Sequence, residues 1–359
     1  MAFAAGLDLA PIPAAEAMRA YGALGPLALA QARLRRKALA KHPDGDRLWW
    51  TAEALEQSTP RAVAVHRAPR FEGLVHDLGC SVGGDLIPLA ARGPVSGVDL
   101  DEARLLLAQA NLVEVGLSAD LVLADVGDLR PTGQVFADPA RRARGRRGFD
   151  PRSWSPPLDV VLGWDVDALG VKVAPGIDYD VLPSDVEVEV VSLDGDVKEA
   201  VLWRGRTRRG VARTATLLPS GDHMLASGAP VPDVRAPGRY LLEPDGAVIR
   251  AHLVAELAQD LDGWLLDSSI AYIAADLAVR TPFGKWFEVH EVLPFSLKGL
   301  RERLRFYDAG PLVVKKRGTA VEPETLRRQL KLSGTREVTV VLTRQAGSQV
   351  ALIVAPFSP

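Results

Sequence analysis

Residues 74–101 read LVHDLGCSVGGDLIPLAARGPVSGVDLD, which is the pattern of a strand, a glycine turn, a helix and a second strand. The first four residues predict one short strand, and residues 95–98 predict the other. Gly79 and Gly83 lie between them, where a tight turn needs a positive φ or close approach to a ligand. Residues 85–92 predict the helix. The segment therefore predicts an open α/β sheet.

Four successive predicted strands end in an aspartate, at Asp77, Asp99, Asp125 and Asp138. In open α/β sheets, ligands bind outside the carboxyl ends of the strands. We therefore expect these carboxylates to converge on one crevice around one bound ligand. Asp99 follows the glycine turn by about 20 residues, a position that suits hydrogen bonds from a ribose.

The glycine turn is compatible with two cofactor classes, dinucleotides and S-adenosylmethionine. Its spacing, G-C-S-V-G-G from Gly79, does not fit the G-x-G-x-x-G fingerprint of dinucleotide-binding turns. The run DLGCSVGGD at 77–85 resembles motif I of class I S-adenosylmethionine-dependent methyltransferases, D/E-x-G-x-G-x-G, with Cys80-Ser81 in place of the middle glycine. An ordinary strand–helix turn in another α/β protein is the alternative interpretation.

The resemblance to motif I implies S-adenosylmethionine as the cofactor and a set of residues that would hold it. Asp99 would hold the ribose hydroxyls and Asp125 the adenine amine, while Asp77 and the amides of the turn would face the methionine end. The cofactor-binding residues predicted in this way are Asp77, Gly79, Cys80, Gly83, Asp99, Leu100 and Asp125.

The run D-P-A-R from Asp138 resembles motif IV of the nucleic-acid amino-methyltransferases, (D/N/S)-P-P-(Y/F/W), and the D-P-P-R form of some RNA methyltransferases. The resemblance implies that Asp138 and Pro139 are catalytic and accept hydrogen bonds from the amine that is methylated. Ala140 replaces the second proline and no aromatic residue follows, so either another aromatic stacks on the target base or the substrate is not a flipped base. The candidate aromatic residues are Phe149, Trp154, Trp49 and Trp50.

Cys80 is the single cysteine, so an intramolecular disulfide is excluded. A cysteine-nucleophile route to a pyrimidine carbon needs a thiol near the fourth strand or beyond, whereas Cys80 lies in the glycine turn. The sequence therefore favours a nitrogen acceptor, or less readily an oxygen.

Two basic segments are candidates for RNA contact. An arginine-rich loop follows Pro139 directly, and arginine suits a phosphate clamp. The second segment lies in residues 281–359, which carry 13 Lys/Arg against 7 Asp/Glu, a net of +6. Solvated charge is the alternative interpretation. The predicted RNA-binding residues are Arg141, Arg142, Arg144, Arg146, Arg147, Lys315, Lys316 and Arg317.

The C-terminal part is similar to the THUMP-like domain that accompanies bacterial methyltransferases of this type. The resemblance rests on EPDGAVIR at 243–250, VKKRG at 314–318 and a β-α-β-α-β-β order. The THUMP domain proper is an RNA-binding module, so the resemblance implies RNA, either tRNA or rRNA, as the partner.

The predicted fold class is α/β: a seven-stranded Rossmann-like methyltransferase sheet with a helical N-terminal domain and an α+β THUMP-like C-terminal domain. Residues 213–218 are expected as the last, antiparallel strand of the sheet, and residues 248–260 and 268–275 as helices. The domains are predicted at 1–70, 71–225 and 238–359.

The 359 residues suit two or three domains, and 47% hydrophobic with 25% charged residues is a globular composition. A net charge of −2 indicates no particular partner. We expect no membrane span and no signal peptide, hence a cytoplasmic protein. The six histidines are scattered, so no metal site is predicted, and the oligomeric state stays open.

The functional hypothesis is S-adenosylmethionine-dependent methylation of RNA at a base nitrogen. Three alternatives remain at this stage. They are a non-catalytic protein that binds RNA and the cofactor, a nucleotide-dependent oxidoreductase on a Rossmann fold, and a methyltransferase with a protein or small-molecule acceptor.

Overall fold

The structure is a computed structural model that describes residues 18–19, 21–140, 142–143, 146–147 and 150–359, with backbone alone at 142–143 and 146–147. The chain divides into two compact units. The first comprises Met1–Glu189 and Lys198–Ala212, and the second comprises Val190–Val197 and Arg213–Pro359. A helix expected at 14–21 falls largely outside the described residues.

The first unit combines short helices with a mostly parallel sheet. Its helices are α1 (Gly25–Ala38), α2 (Ala52–Gln57), α3 (Arg61–Arg67), α4 (Leu86–Ala90), α5 (Glu102–Glu114) and α6 (Leu158–Leu162). Side chains fix several helix starts: Thr51 accepts from the Ala54 amide, and Asp101 accepts from the amides of Ala103 and Arg104. Such N-caps satisfy backbone donors that have no partner inside the helix.

The strands between residues 75 and 205 include those that the sequence predicts. They are β1 (Val75–Leu78), β2 (Val95–Asp99), β3 (Asp120–Leu123), β4 (Gln134–Ala137), β5 (Arg142–Ala143), β6 (Arg146–Arg147), β7 (Ala168–Val173), β8 (Glu187–Leu193) and β9 (Asp196–Gly205). Neighbouring strands follow the order β8-β9-β7-β4-β1-β2-β3. The pairs from β7 to β3 are parallel, whereas β9 runs antiparallel to β7. β5 and β6 form a separate two-stranded hairpin.

The N-terminal helices share one hydrophobic core with this sheet. Trp50 and Leu55 of the helical segment belong to the same buried cluster as Val75 and Phe136 of the strands. The described residues of the predicted helical domain at 1–70 therefore lie in the same compact unit as the sheet.

The second unit is an α+β domain. Its helices are α7 (Gly246–Arg250), α8 (Val254–Asp260), α9 (Leu297–Phe306) and α10 (Pro323–Leu330). Its further strands are β10 (Arg213–Leu218), β11 (Asp222–Leu225), β12 (Tyr240–Pro244), β13 (Trp264–Leu265), β14 (Ile273–Ala275), β15 (Gly284–Pro294), β16 (Ala309–Lys316), β17 (Arg336–Gln345) and β18 (Ser348–Phe357). Seven of them form a sheet in the order β13-β14-β12-β15-β18-β17-β16.

Both faces of this seven-stranded sheet bury side chains, because alternate residues of its central strands enter different cores. Val340 and Leu342 pack with Leu300 of α9 and Leu326 of α10, whereas Val341 packs in the opposite core. This alternation is the period of two that a strand imposes on its side chains. Helices α9 and α10 therefore cover one face of the sheet.

Two local predictions are wrong. Residues 268–275 form no helix, since Ile273–Ala275 is a strand held between β12 and β13. Residues 248–260 form two helices rather than one, since His252 takes a positive φ of 56° that ends the first. At 273–275, pairing with β12 and β13 overrides the weak helix preference of the alanines.

The antiparallel strand of the methyltransferase sheet is also not the predicted one. β9 pairs antiparallel with β7, whereas β10, the predicted candidate, pairs with β11 in the second unit. Lys198 and Glu199 interrupt the apolar pattern of β9, so its length is not evident from the sequence. The long continuous part of the second unit runs from Arg213 to Pro359, whereas the domain prediction gives 238–359.

Candidate active site

The glycine turn lies between β1 and α4 and is held from below by β2. The amides of Gly79 and Cys80 both donate to the Val98 carbonyl oxygen, at 2.9 and 3.0 Å. Gly79 has a φ of +90°, and a Cβ built there would lie 3.0 Å from the Asp138 carbonyl oxygen. Only glycine combines that conformation with so close an approach to the end of β4.

Asp99 ties the turn to the end of β2. Its Oδ2 accepts from the Ser81 amide and its Oδ1 from the Asp101 amide, both at 2.9 Å. Asn111 of α5 secures the other side, donating to the carbonyl oxygens of Val82 and Trp49. The carboxylate is thus oriented by backbone donors before any ligand arrives.

A pocket of about 560 Å³ opens above the turn. The predicted residues that line it are Gly79, Cys80, Asp99, Leu100, Asp125, Asp138 and Pro139. The structure therefore brings together three of the four strand-end carboxylates that we expected to converge. Leu100, at 68% exposure, and Val126 add apolar surface beside Asp99 and Asp125.

Asp77 is not among the lining residues, and neither is Gly83. Asp77 is buried beneath the turn, with 1% of its surface exposed, and its Oδ2 finds no hydrogen-bond partner among the described residues. Burial, followed by the charges of Asp85 and Asp138, raises the pKa of Asp77 well above its ordinary value. A protonated carboxyl is favoured there, because a second charge next to other carboxylates is costly.

Asp138, at the end of β4, is held by a lysine that no sequence motif indicates. Lys172 of β7 donates from Nζ to Asp138 Oδ2 at 2.5 Å and to Thr59 Oγ1 at 3.0 Å. Thr59 in turn donates to Asp85 Oδ2 at 3.0 Å. A chain of hydrogen bonds therefore runs from the pocket rim through β7 to the start of α4.

Arg67 and Glu199 close this buried network, which we call the Lys172 network: Lys172, Asp138, Thr59, Asp85, Arg67 and Glu199. Arg67 lies 2.8 Å from Glu199 and 3.3 Å from Asp85. Burial alone would lower the pKa of Lys172, but the carboxylates of Asp138, Asp85 and Glu199 raise it above its ordinary value. The lysine is therefore a stable ammonium beside Asp138.

A second buried network supports β8 and β9. Glu189 accepts from Trp203 Nε1 at 2.8 Å and pairs with Arg70 at 3.0 Å and with His66 at 2.9 Å. Burial alone would raise the pKa of Glu189, but the hydrogen bond from His66 and the charge of Arg70 hold that pKa below its ordinary value. The alternating V-E-V-E-V-V run resembles a half-exposed strand, yet both glutamates, Glu187 and Glu189, are buried.

The aromatic residues predicted to stack on a substrate do not line the pocket in the described part of the chain. Trp50 and Trp154 are core residues, and Trp50 donates to the Gly45 carbonyl oxygen. Trp49 is half-buried, and the Arg35 guanidinium lies over its ring, 4.7 Å from the ring centre. Phe149 lies outside the described residues.

The predicted RNA-binding residues fall into two groups. Arg141 and Arg144 lie outside the described residues, while Arg142, Arg146 and Arg147 lie on the β5–β6 hairpin. In the second unit, Lys315 pairs with Glu243 at 2.5 Å and Lys316 with Glu322 at 2.6 Å, and Arg317 lies 3.9 Å from Glu243. Each cation of this second group therefore already has a carboxylate partner.

The donor set fits S-adenosylmethionine. Carboxylates at the ends of neighbouring parallel strands suit hydroxyl and amine donors, the exposed Leu100 suits a flat base, and the volume is that of a small-molecule pocket. Within the described residues, no three His, Cys, Asp or Glu side chains are arranged to hold a metal ion. No helix of the described part combines the length and apolar character that crossing a bilayer requires.

Comparison with known proteins identifies both units. The THUMP domain-like family matches residues 284–356. An uncharacterized S-adenosylmethionine-dependent methyltransferase of Mycobacterium tuberculosis, present in two strains, is 39% identical over 363 residues, covering 94% of this chain and 98% of its own. The crystal structure of a candidate methyltransferase from Porphyromonas gingivalis superposes with a TM-score of 0.77 at 20% identity, covering 93% of this chain and 91% of that one.

The identity to the mycobacterial relatives extends over nearly the whole chain, and the crystal structure shows the same fold. These relatives exclude the alternative of a dinucleotide-dependent oxidoreductase. The chain belongs to the class I S-adenosylmethionine-dependent methyltransferases that carry a C-terminal THUMP-like domain, and S-adenosylmethionine is its cofactor.

Proposed function

We propose that this methyltransferase acts on RNA and methylates a nitrogen of a base. The observation that carries the proposal is the placement of Asp138 at the pocket. Its side chain is 27% exposed, and Lys172 holds Oδ2. Oδ1 accepts no hydrogen bond from the described residues, so it can accept one from an incoming amine.

The residues that line the pocket provide the cofactor site in this proposal. Asp99 accepts from the ribose hydroxyls, Asp125 from the adenine amine, and Leu100 packs against the base, while Gly79 and Cys80 form the floor. Asp77 and Gly83 shape the turn from beneath. When bound, S-adenosylmethionine supplies a methyl group made electrophilic by its sulfonium.

Asp138 would orient the lone pair of the acceptor nitrogen and accept its proton as the N–C bond forms and the methyl–sulfur bond breaks, with the neutral thioether S-adenosylhomocysteine as the leaving group. The ammonium of Lys172, 2.5 Å from Oδ2, fixes the orientation of the carboxylate and leaves Oδ1 to face the acceptor. The Pro139 carbonyl oxygen is the second acceptor that the motif provides. Positioning and electrostatics of this kind are what a protein contributes to a displacement reaction.

Cys80 supports the choice of nitrogen over a pyrimidine carbon. The thiol is 3% exposed, and burial together with the nearby carboxylates of Asp77 and Asp99 raises its pKa. A thiol in such surroundings is a poor nucleophile. The chain has no other cysteine, so attack through a thiolate has no residue to perform it.

RNA as the substrate is supported by the THUMP-like domain and by the arginine-rich loop that follows Pro139. The reaction would then occur in the cytoplasm, where tRNA and rRNA are found. Mass spectrometry of nucleosides from cells with and without the gene tests the proposal. The loss of one nitrogen-methylated nucleoside is expected; unchanged nucleoside profiles of tRNA and rRNA would contradict it.

One observation favours a second candidate, a protein or small-molecule acceptor. No aromatic side chain is present among the described residues that line the pocket, and flipped bases are usually held by such stacking. Labelled methyl groups that survive ribonuclease but not protease would establish a protein acceptor.

A further inference from the structure

A basic face lies on α9 and at the end of α10. We define it as Lys298, Arg301, Arg305 and Lys331. The first three recur at intervals of three and four residues, so they form one stripe along α9, beside the side of the helix that buries Leu300 and Leu304. The exposed Glu302 borders the stripe on its other side. Arg301 Nη2 donates to the Gln329 carbonyl oxygen at 2.7 Å, which brings the end of α10 and Lys331 next to this stripe.

The cations of the basic face differ from those predicted from the sequence. Within the described residues, none of the four has a carboxylate in ion-pairing distance, whereas Lys315 and Lys316 of the V-K-K-R-G segment are paired. Lys298, Arg305 and Lys331 are exposed. A cation without an ion-pair partner binds a phosphate with more favourable free energy, because no existing ion pair has to be broken first.

An aromatic side chain stands at the end of the same helix. Phe306 is 74% exposed and is the only exposed aromatic residue in the described part of the chain. The Arg303 guanidinium lies 4.6 Å from its ring centre, and Arg303 is fixed to Glu291 at 2.8 Å. The ring is therefore supported from one side and open on the other.

We propose that the basic face and Phe306 bind a single-stranded segment of RNA, with phosphates along α9 and an unpaired base on the ring. Exposed aromatics beside a cationic track are the usual platform for unpaired nucleotides. An acidic polypeptide would use the cations but has no use for an isolated open ring. The inference rests on the proposed RNA substrate and names the surface of the second unit that holds it.

Fluorescence anisotropy with the full-length protein and a labelled 12-nucleotide RNA strand tests the inference. The wild type should bind with an affinity that falls steeply with salt. The double variant K298E/R305E should lower the slope of log K against log salt by about 1.4, because each phosphate contact on a single strand contributes about 0.7. F306A should weaken binding by about 10-fold while leaving that slope unchanged.

R280E/K285E is the matched control, since it makes the same change in charge. Lys285 lies at the start of β15, whereas α9 leads into β16, which is three strands away in the sheet order β15-β18-β17-β16, or about 14 Å within the sheet. Binding by this control should equal that of the wild type. The inference is wrong if the wild type does not bind the RNA, if K298E/R305E binds as the control does, or if polyglutamate is bound in place of RNA.

The outcome is separable from that of the proposed function. If RNA is methylated but K298E/R305E binds RNA as tightly as the wild type, then the proposed function stands and the basic face is not the RNA-binding surface. If RNA is bound through this surface but the methyl group enters protein, the surface stands and the substrate is wrong.

Discussion

Replacing Lys172 by methionine tests the network that holds Asp138. Methionine keeps the length of the side chain and removes its charge. Lys172 Nζ contacts Asp138 Oδ2 at 2.5 Å and Thr59 Oγ1 at 3.0 Å, and its side chain is 8% exposed. The substitution leaves the carboxylates of Asp138 and Asp85 with Arg67 as their remaining buried cation.

The expected loss in the free energy of unfolding follows from the burial of the Lys172–Asp138 ion pair. Removing one partner of a buried ion pair costs about 3–5 kcal/mol, and the lower end applies because water reaches the 27% exposed Asp138. About 3 kcal/mol corresponds to a fall in Tm of about 6–12 °C for a unit of this size.

The pH dependence gives a second, independent signature. The pKa of Lys172 is raised in the folded protein by Asp138, Asp85 and Glu199 against the effect of burial. The ammonium therefore contributes stability that is complete below the unfolded pKa of about 10.4 and is lost as pH rises through the higher folded value. The difference in stability between wild type and K172M should be full at pH 8 and should narrow above about pH 10.4.

The assay is thermal unfolding followed by circular dichroism, with calorimetry for the Kd of S-adenosylmethionine. K172M should unfold early, K172R should recover part of the loss, and the Kd should change little, since Lys172 bonds to Asp138 rather than to Asp99 or Asp125. K198M, at an exposed lysine on the same pocket, is the control. If K172M unfolds like K198M, or if the difference persists unchanged to pH 11, Lys172 does not act as described.

Three further outcomes are expected. Burial and the charge of Arg61 lower the pKa of His42 to about 4. Because the unfolded state then binds more protons, the free energy of unfolding should fall by about 3 kcal/mol from pH 6.5 to pH 4. Unfolding of H42Q, followed at a series of pH values, should lack that fall. G79A, whose new Cβ meets the end of β4, should weaken S-adenosylmethionine binding at least 10-fold by calorimetry. G133A is the control, because its Cβ enters open space at a similar positive φ, and it should leave binding unchanged. Equal Kd values for the two variants would contradict this. D99N should raise the Kd of S-adenosylmethionine by about 10-fold, because the new amide nitrogen faces a backbone N–H that the carboxylate oxygen accepted from. An unchanged Kd would show that Asp99 does not hold the cofactor.

The sequence predicted the frame of the site because strand ends and turns are local features. The fourth predicted strand, β4, ends directly before Asp138, and Gly79 takes the positive φ that its turn requires. Asp99, Asp125 and Asp138 then meet through sheet topology, which the order of strands and helices implies.

The charged interior was not predictable in the same way. Lys172 stands in the apolar run A-L-G-V-K-V, where a single charge gives no indication of its partner. Its contacts, Asp138 and Thr59, are 34 and 113 residues away in sequence. Glu199 likewise stands at the edge of the apolar run of β9, and only the fold brings Arg67 to it. Such pairs depend on tertiary proximity that no local pattern encodes.

The role of Asp138 is tested most directly by transfer of labelled methyl groups. Purified protein, radiolabelled S-adenosylmethionine and total RNA from cells that lack the gene are combined, with D138N as the comparison. We predict ribonuclease-sensitive label in a nitrogen-methylated nucleoside, reduced at least 100-fold by D138N while the Kd for S-adenosylmethionine is retained. Label that resists ribonuclease, or that D138N leaves unchanged, would contradict the account.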